Sequence, residues 1–149
     1  MNQILEFINR GVLFDIALGQ LKEKVLDKIG EPSDVVNLSD ELDLCAYGYG
    51  LELYFEKDML NKISIKYEFD SESFKLPSYF GDSNGDGLNG LKSIDHLVDV
   101  FQENGFEWSI KREFSDDTTI CLICNDVSYV YYSLDAHHIL SIQSIPSEY

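Results

Sequence analysis

The sequence predicts an α+β fold: two tandem repeats, each a helical segment followed by an antiparallel sheet, with the helices on one sheet face. Three observations carry this. Both halves of the 149-residue chain run in the same order, helix pattern first and strand patterns after. Each helix pattern places apolar residues three and four apart and ends at a glycine. Each strand pattern alternates apolar and polar residues with period two, the mark of a sheet with one buried face. The reading is of one domain, with repeats at about 1–70 and 91–149.

The N-terminal stretch "MNQILEFINRGVLFDIALG" carries Glu6, Arg10 and Asp15 inside its apolar pattern. It has no basic start and no long apolar core, so it does not read as a secretory leader. In "LGQLKEKVLDKIGEP", Leu21, Val25, Leu26 and Ile29 have helical spacing. Gly30 and Pro32 end that helix, because glycine takes the left-handed cap and proline cannot continue. Strands are expected at 44–49, 51–55 and 60–68. Leu51, Leu53 and Phe55 share one face of "LELYF", and Ile63, Ile65 and Tyr67 alternate with Ser64 and Lys66. "EKDM" between the last two runs reads as a hairpin turn.

Residues 70–91 are rich in Gly, Asn and Ser and read as a linker between the repeats. The second half resumes with Ser93 as helix N-cap, then Leu97, Val100, Phe101 and a terminating Gly105. Strands follow at 107–113, 118–124, 127–133 and 139–145. A shift of 75 residues places Gly30 on Gly105, Val25 on Val100 and Leu26 on Phe101.

The net charge of −16 sets up a field that repels nucleic acid and anionic membrane surfaces and favours a basic protein partner or cations. Three cysteines without framework spacing suit a reducing compartment. No stretch approaches the roughly 18 apolar residues of a membrane span. Together these point to a cytoplasmic protein that contacts neither nucleic acid nor membrane.

Gly19, Val25, Ile29, Gly30 and Pro32, followed by Leu51, Leu53, Phe55, Leu60 and Ile63, resemble the helix and strand motifs of the outer-membrane assembly lipoprotein BamE (the SmpA/OmlA family). The same residues resemble its structural relatives, the secreted β-lactamase inhibitor proteins. The chain lacks the family's lipidated cysteine, and Glu107 stands where the second proline would fall. Two fused repeats look more like the inhibitor arrangement, in which a concave sheet grips an enzyme. By analogy the chain is similar to bacterial immunity proteins, which neutralise toxins of their own strain. The resemblance therefore implies a non-enzymatic binding protein. The competing readings are an assembly scaffold of BamE type and a calcium-responsive module.

The calcium reading rests on "DSNGDGLNGLKS". Asp82, Asn84, Asp86 and Gly87 match positions one, three, five and six of a calcium loop. Position twelve calls for a bidentate carboxylate, and Ser93 stands there. A glycine-rich tether explains the same residues, so no cofactor is expected beyond this incomplete calcium loop. Gly85, Gly87 and Gly90 have dinucleotide spacing but no surrounding βαβ unit. Cys121, Cys124, His137 and His138 imitate zinc spacing, yet residues three apart on a strand point to opposite faces. No nucleophile elbow or cysteine–histidine motif occurs, so no catalytic residues are assigned.

What is left is a contact surface. With Leu51, Leu53 and Phe55 inward, Glu52, Tyr54 and Glu56 face outward, joined by Lys62, Ser64 and Lys66 and extended by Tyr132 from the second half. Rings among charges supply contact area at small entropic cost. Glu31, Asp34, Asp40, Glu41 and Asp43 form an acidic stretch able to steer a basic partner.

Overall fold

The computed structural model describes residues 3–48, 50–66 and 93–146. It is an α+β protein, and its described residues form three α-helices and one eight-stranded antiparallel sheet in the order β1-β2-β3-β4-β8-β7-β6-β5. The first half supplies α1 (Gln3–Arg10), α2 (Lys22–Ile29) and the strands β1 (Asp34–Asn37), β2 (Leu42–Tyr47), β3 (Leu51–Glu56) and β4 (Met59–Lys66). The second supplies α3 (Ile94–Glu103) and the strands β5 (Trp108–Ile110), β6 (Thr119–Cys124), β7 (Ser128–Ser133) and β8 (His138–Ser144). The two meanders meet where β4 pairs with β8, with Ser64 opposite Gln143 and Ile65 opposite Ile142.

Each helix buries a short apolar stripe. In α1, Ile4, Phe7 and Ile8 sit three and four apart and are fully buried. The sequence reading notes the apolar pattern of this segment without assigning a helix to it. Val25 and Ile29 do the same for α2, and Leu97 and Phe101 for α3. The helix ends behave as expected. Gly30 has φ 86° and Gly105 φ 72°, the left-handed region that glycine enters without a Cβ clash. Ser93 caps α3, its Oγ accepting the His96 N–H at 3.3 Å. Leu21 departs from expectation: it precedes the helix and is 54% exposed.

Strand alternation decides which face is buried. Leu51, Leu53 and Phe55 on β3, Leu60, Ile63 and Ile65 on β4, Val130 on β7 and Ile142 on β8 join the helix residues in one buried cluster. The expected run at 44–49 is strand over Leu42–Tyr47, and two larger departures from the sequence reading occur. The run expected at 107–113 is strand only over Trp108–Ile110, followed by a single 3-10 turn at Arg112–Phe114. Residues 34–37 form an edge strand, although they read only as an acidic stretch. All four are exposed, so no burial periodicity marks them.

Two hairpins close on two-residue turns with both φ angles positive: Lys57–Asp58 (51° and 62°) and Asn125–Asp126 (50° and 57°). This mirror-image turn matches the strand twist. Asn125 also locks its surroundings. Its Oδ1 accepts the Glu107 N–H at 2.8 Å, and its Nδ2 donates to Asn9 Oδ1 at 2.6 Å. Among the described residues, no helix is long and apolar enough to cross a membrane.

Candidate binding face of the sheet

The face opposite the core follows from the same alternation. Glu52 and Tyr54 project from β3, and their register partners on β4 are Ser64 and Lys62. The row continues across the junction of the two halves: Glu52 beside Ser64, Ser64 beside Gln143, Gln143 beside Tyr129, Tyr129 beside Ile123.

Three of the predicted site residues meet in one network. Lys66 Nζ lies 2.5 Å from Glu52 Oε1, and the Tyr54 hydroxyl donates to Glu52 Oε2 at 2.7 Å. Lys62 Nζ stands 4.9 Å from the centre of the Tyr54 ring, a cation–π distance. The Glu52 side chain is only 16% exposed. Burial pushes its carboxyl upward, but the bonds from Lys66 and Tyr54 and the charges of Lys66 and Lys62 outweigh it and hold the group below its ordinary value. Burial, then the neighbouring Glu52 carboxylate, push the Tyr54 hydroxyl up to about 12. Burial lowers Lys62, with Glu52 opposing and Lys66 reinforcing that shift.

The sign of the pH dependence follows. A carboxylate with a depressed folded value stabilises the fold above its unfolded value, and that stabilisation disappears as pH falls through the folded value. Urea unfolding of Glu52→Gln should therefore show a loss of about 1 kcal/mol at pH 7, where a half-buried charged pair is broken. The difference from the parent protein should vanish in acid, below the ordinary carboxylate value of 4.5. A difference that persists unchanged in acid would mean that the Glu52 charge is not what Lys66 and Tyr54 recognise.

The other predicted residues stand elsewhere. Glu56 is exposed at the end of β3, where it accepts from Asn61 Nδ2 at 2.7 Å, and it does not join the network. Tyr132 is a correction: it is fully buried, pairs with Ile139 and belongs to the core cluster. Its alternation partners Ser128 and Val130 point the same way, so Tyr129 and Tyr131 carry the outward positions on β7. Both alternating sets in "SYVYYS" contain tyrosine, and Ser128 is buried because its Oγ donates to Ile8 O at 2.9 Å. Only Val130 signalled the inward set.

The second half adds an aromatic group that the sequence reading missed. Phe114 meets Tyr129 edge-on at 5.3 Å, Tyr129 lies 6.4 Å from Tyr131, and Lys111 Nζ stands 5.6 Å from the Phe114 ring centre. The turn carrying Phe114 is held back over β6 by Ser115, whose Oγ accepts the Cys121 N–H at 3.0 Å. This face is consequently only partly open, contrary to the expectation of an uncovered sheet. Cys121 is fully buried on it, and Ser64, flanked on β4 by Lys62 and Lys66, is 1% exposed.

Cys121 and Cys124 point to opposite faces of β6, as residues three apart must. Burial pushes the Cys121 thiol up to about 11, with the Tyr131 hydroxyl and Lys111 pulling against it. Burial and then the nearby Cys121 push Cys124 up to about 12. Thiols so placed stay protonated near neutral pH and are poor nucleophiles. Among the described residues, no cluster of three or more His, Cys, Asp or Glu side chains is placed to hold a metal ion. Asp82, Asn84 and Asp86 lie outside the described residues. Ser93, at the twelfth loop position, is engaged as the cap of α3.

Compared with known proteins, the chain matches no family model and no curated sequence. A crystal structure of an extracellular protein containing an SCP domain, from Bacillus anthracis strain Ames, superimposes with a TM-score of 0.49 and 13% identity. The superposition covers 87% of this chain and 44% of that one, so this chain spans less than half the length of that protein.

Proposed function

We propose that this chain is a non-enzymatic protein-binding protein, and most specifically an immunity protein that neutralises a toxin of its own bacterial strain in the cytoplasm. The observation that supports the reading is the Lys62–Tyr54–Glu52–Lys66 network. It holds a tyrosine ring rigidly on the sheet face opposite the core, and a ring fixed before binding loses little entropy on contact. We further propose that the two halves are repeats, each with its helices on the core side of the sheet. Matching irregularities support this: a register shift at Tyr54/Phe55 in the β3–β4 hairpin and another at Tyr131/Tyr132 in the β7–β8 hairpin. The buried residues of the helices pair Val25 with Leu97 and Ile29 with Phe101, a shift of 72 in place of the 75 that aligned the glycines.

The test is kinetic and uses the toxin domain encoded beside this chain's gene. Tyr54→Ala should speed dissociation by about 5- to 150-fold, the effect of a central aromatic anchor. Tyr54→Phe keeps the ring and should retain most of the affinity. Raising the salt should slow association of a basic toxin with this acidic chain, because ions screen steering. Unchanged dissociation in Tyr54→Ala, with the toxin still bound, would remove this face from the interface. No binding to any neighbouring gene product would argue against the immunity reading itself.

A further inference from the structure

A second surface lies at one end of the sheet, away from the network just described. Three adjoining clefts follow one another across the strand ends. The first, about 570 Å³, is walled by Leu18, Ile123, Val127 and Ile145. It shares Leu18 and Pro146 with a second cleft of about 510 Å³ that reaches Met59. It shares Ile123 and Asp126 with a third, of about 240 Å³, that reaches Trp108. Met59 begins β4, Ile145 follows β8, Ile123 and Val127 flank the β6–β7 turn and Trp108 begins β5, all brought to the same end by the antiparallel order, with Leu18 from the α1–α2 connection beside them.

The two extremes are among the large apolar side chains the protein leaves exposed, Met59 at 44% and Trp108 at 36%. Four inter-strand steps from β4 to β5 span about 19 Å, the length of roughly six residues of extended chain. A trough of that length with an apolar floor suits a peptide better than a compact small molecule.

The rim charge is one-sided. Its two cations are already neutralised from within: Arg10 pairs with Glu6 at 2.7 Å and Lys57 faces Glu41 at 3.9 Å. Its carboxylates Glu56, Glu107 and Asp126 have no cationic partner among the described residues. An occupant must therefore bring positive charge to the rim and apolar side chains to the floor. We propose that this trough binds an extended segment of a partner protein in which basic and apolar residues alternate. Alternation follows from strand geometry, since successive side chains of an extended chain point to opposite sides. The proposal goes beyond the binding-face reading and does not rest on it.

The test titrates a fluorescein-labelled hexapeptide of alternating lysine and leucine into the protein at physiological salt, read by anisotropy and by amide chemical shifts. Shift changes should concentrate at Leu18, Ile123, Val127 and Ile145, leaving Tyr54 and Lys62 unmoved. The double variant Glu107→Gln, Asp126→Asn should weaken binding by about tenfold, as removal of two rim charges does. Asn at position 126 tolerates the positive φ of that turn, so the hairpin is kept. The control Glu23→Gln, Asp27→Asn removes two exposed carboxylates of α2 and should change affinity less than about twofold. A hexapeptide of lysine and serine that binds as tightly, or an equal loss in the control, would reduce the effect to general acidity and overturn the proposal. Shifts centred on the Tyr54 network would overturn it equally, assigning peptide binding to that network instead.

Discussion

Replacing Tyr132 by alanine is expected to lower the unfolding free energy by about 3–5 kcal/mol, the range for deleting a large buried aromatic. The side chain is fully buried on the inward face of β7, beside Val130 and opposite Ile139. Its removal leaves a cavity in the layer shared by helices and sheet. The hydroxyl adds a second, finer expectation: among the described residues the buried Tyr132 Oη has no hydrogen-bond partner. Tyr132→Phe removes an unsatisfied polar atom and should be neutral or slightly stabilising, since burying such a group without a partner is unfavourable. Tyr47 provides the matched contrast. It is equally buried, but its hydroxyl donates to Gly30 O at 2.8 Å, tying β2 to the end of α2. Tyr47→Phe should cost about 0.5–1.5 kcal/mol, the net worth of a made hydrogen bond. Urea unfolding of the four proteins measures all three differences. A Tyr132→Ala loss below about 1 kcal/mol would place that ring at the surface, where single substitutions change little.

Phe101→Ala carries the second large effect, again about 3–5 kcal/mol. Phe101 and Leu97 are the fully buried residues of α3, and the Phe101 ring lies 6.0 Å from that of Phe106 just beyond the helix. The chain doubles back here through the Phe106 N–H, which donates to Phe101 O at 2.8 Å. Residues of both halves belong to one buried cluster. The loss should therefore appear as a shift of a single unfolding transition, followed by circular dichroism and by the fluorescence of Trp108. Two separated transitions would show that the halves unfold as independent units, so that the β4–β8 seam does not couple them.

The polar face of the sheet was only partly legible in the sequence. Glu52, Tyr54 and Lys66 were legible because "LELYF" and "KISIK" alternate cleanly, and period two leaves no choice once Leu53 and Ile63 are inward. Their linkage was not legible, because it depends on β3 and β4 lying in register, which sets Glu52 opposite Ser64 and Tyr54 opposite Lys62. Tyr129, Tyr131 and Phe114 escaped for a different reason. The inward set on β7 contains a serine satisfied by an α1 carbonyl, so polarity pointed the wrong way. Phe114 sits in a 3-10 turn with no periodicity to mark it.

By itself the sequence determined the class of the fold, the helix stops at Gly30 and Gly105, the inward set of β3 and β4, and the hairpin at Lys57–Asp58. Each follows from local physics: side-chain period, positive-φ tolerance and turn preference. Tertiary structure alone decided the strand order that joins β4 to β8, the burial of Tyr132 and the cover over Cys121. It also decided the trough that crosses the strand ends from Met59 to Trp108. The strand order depends on pairings such as Ser64 with Gln143, and the inward face of β7 on its contact with α1, as in Ser128 with Ile8. Such contacts exchange chain entropy for buried area, and the balance is struck over the whole core rather than within any window of sequence.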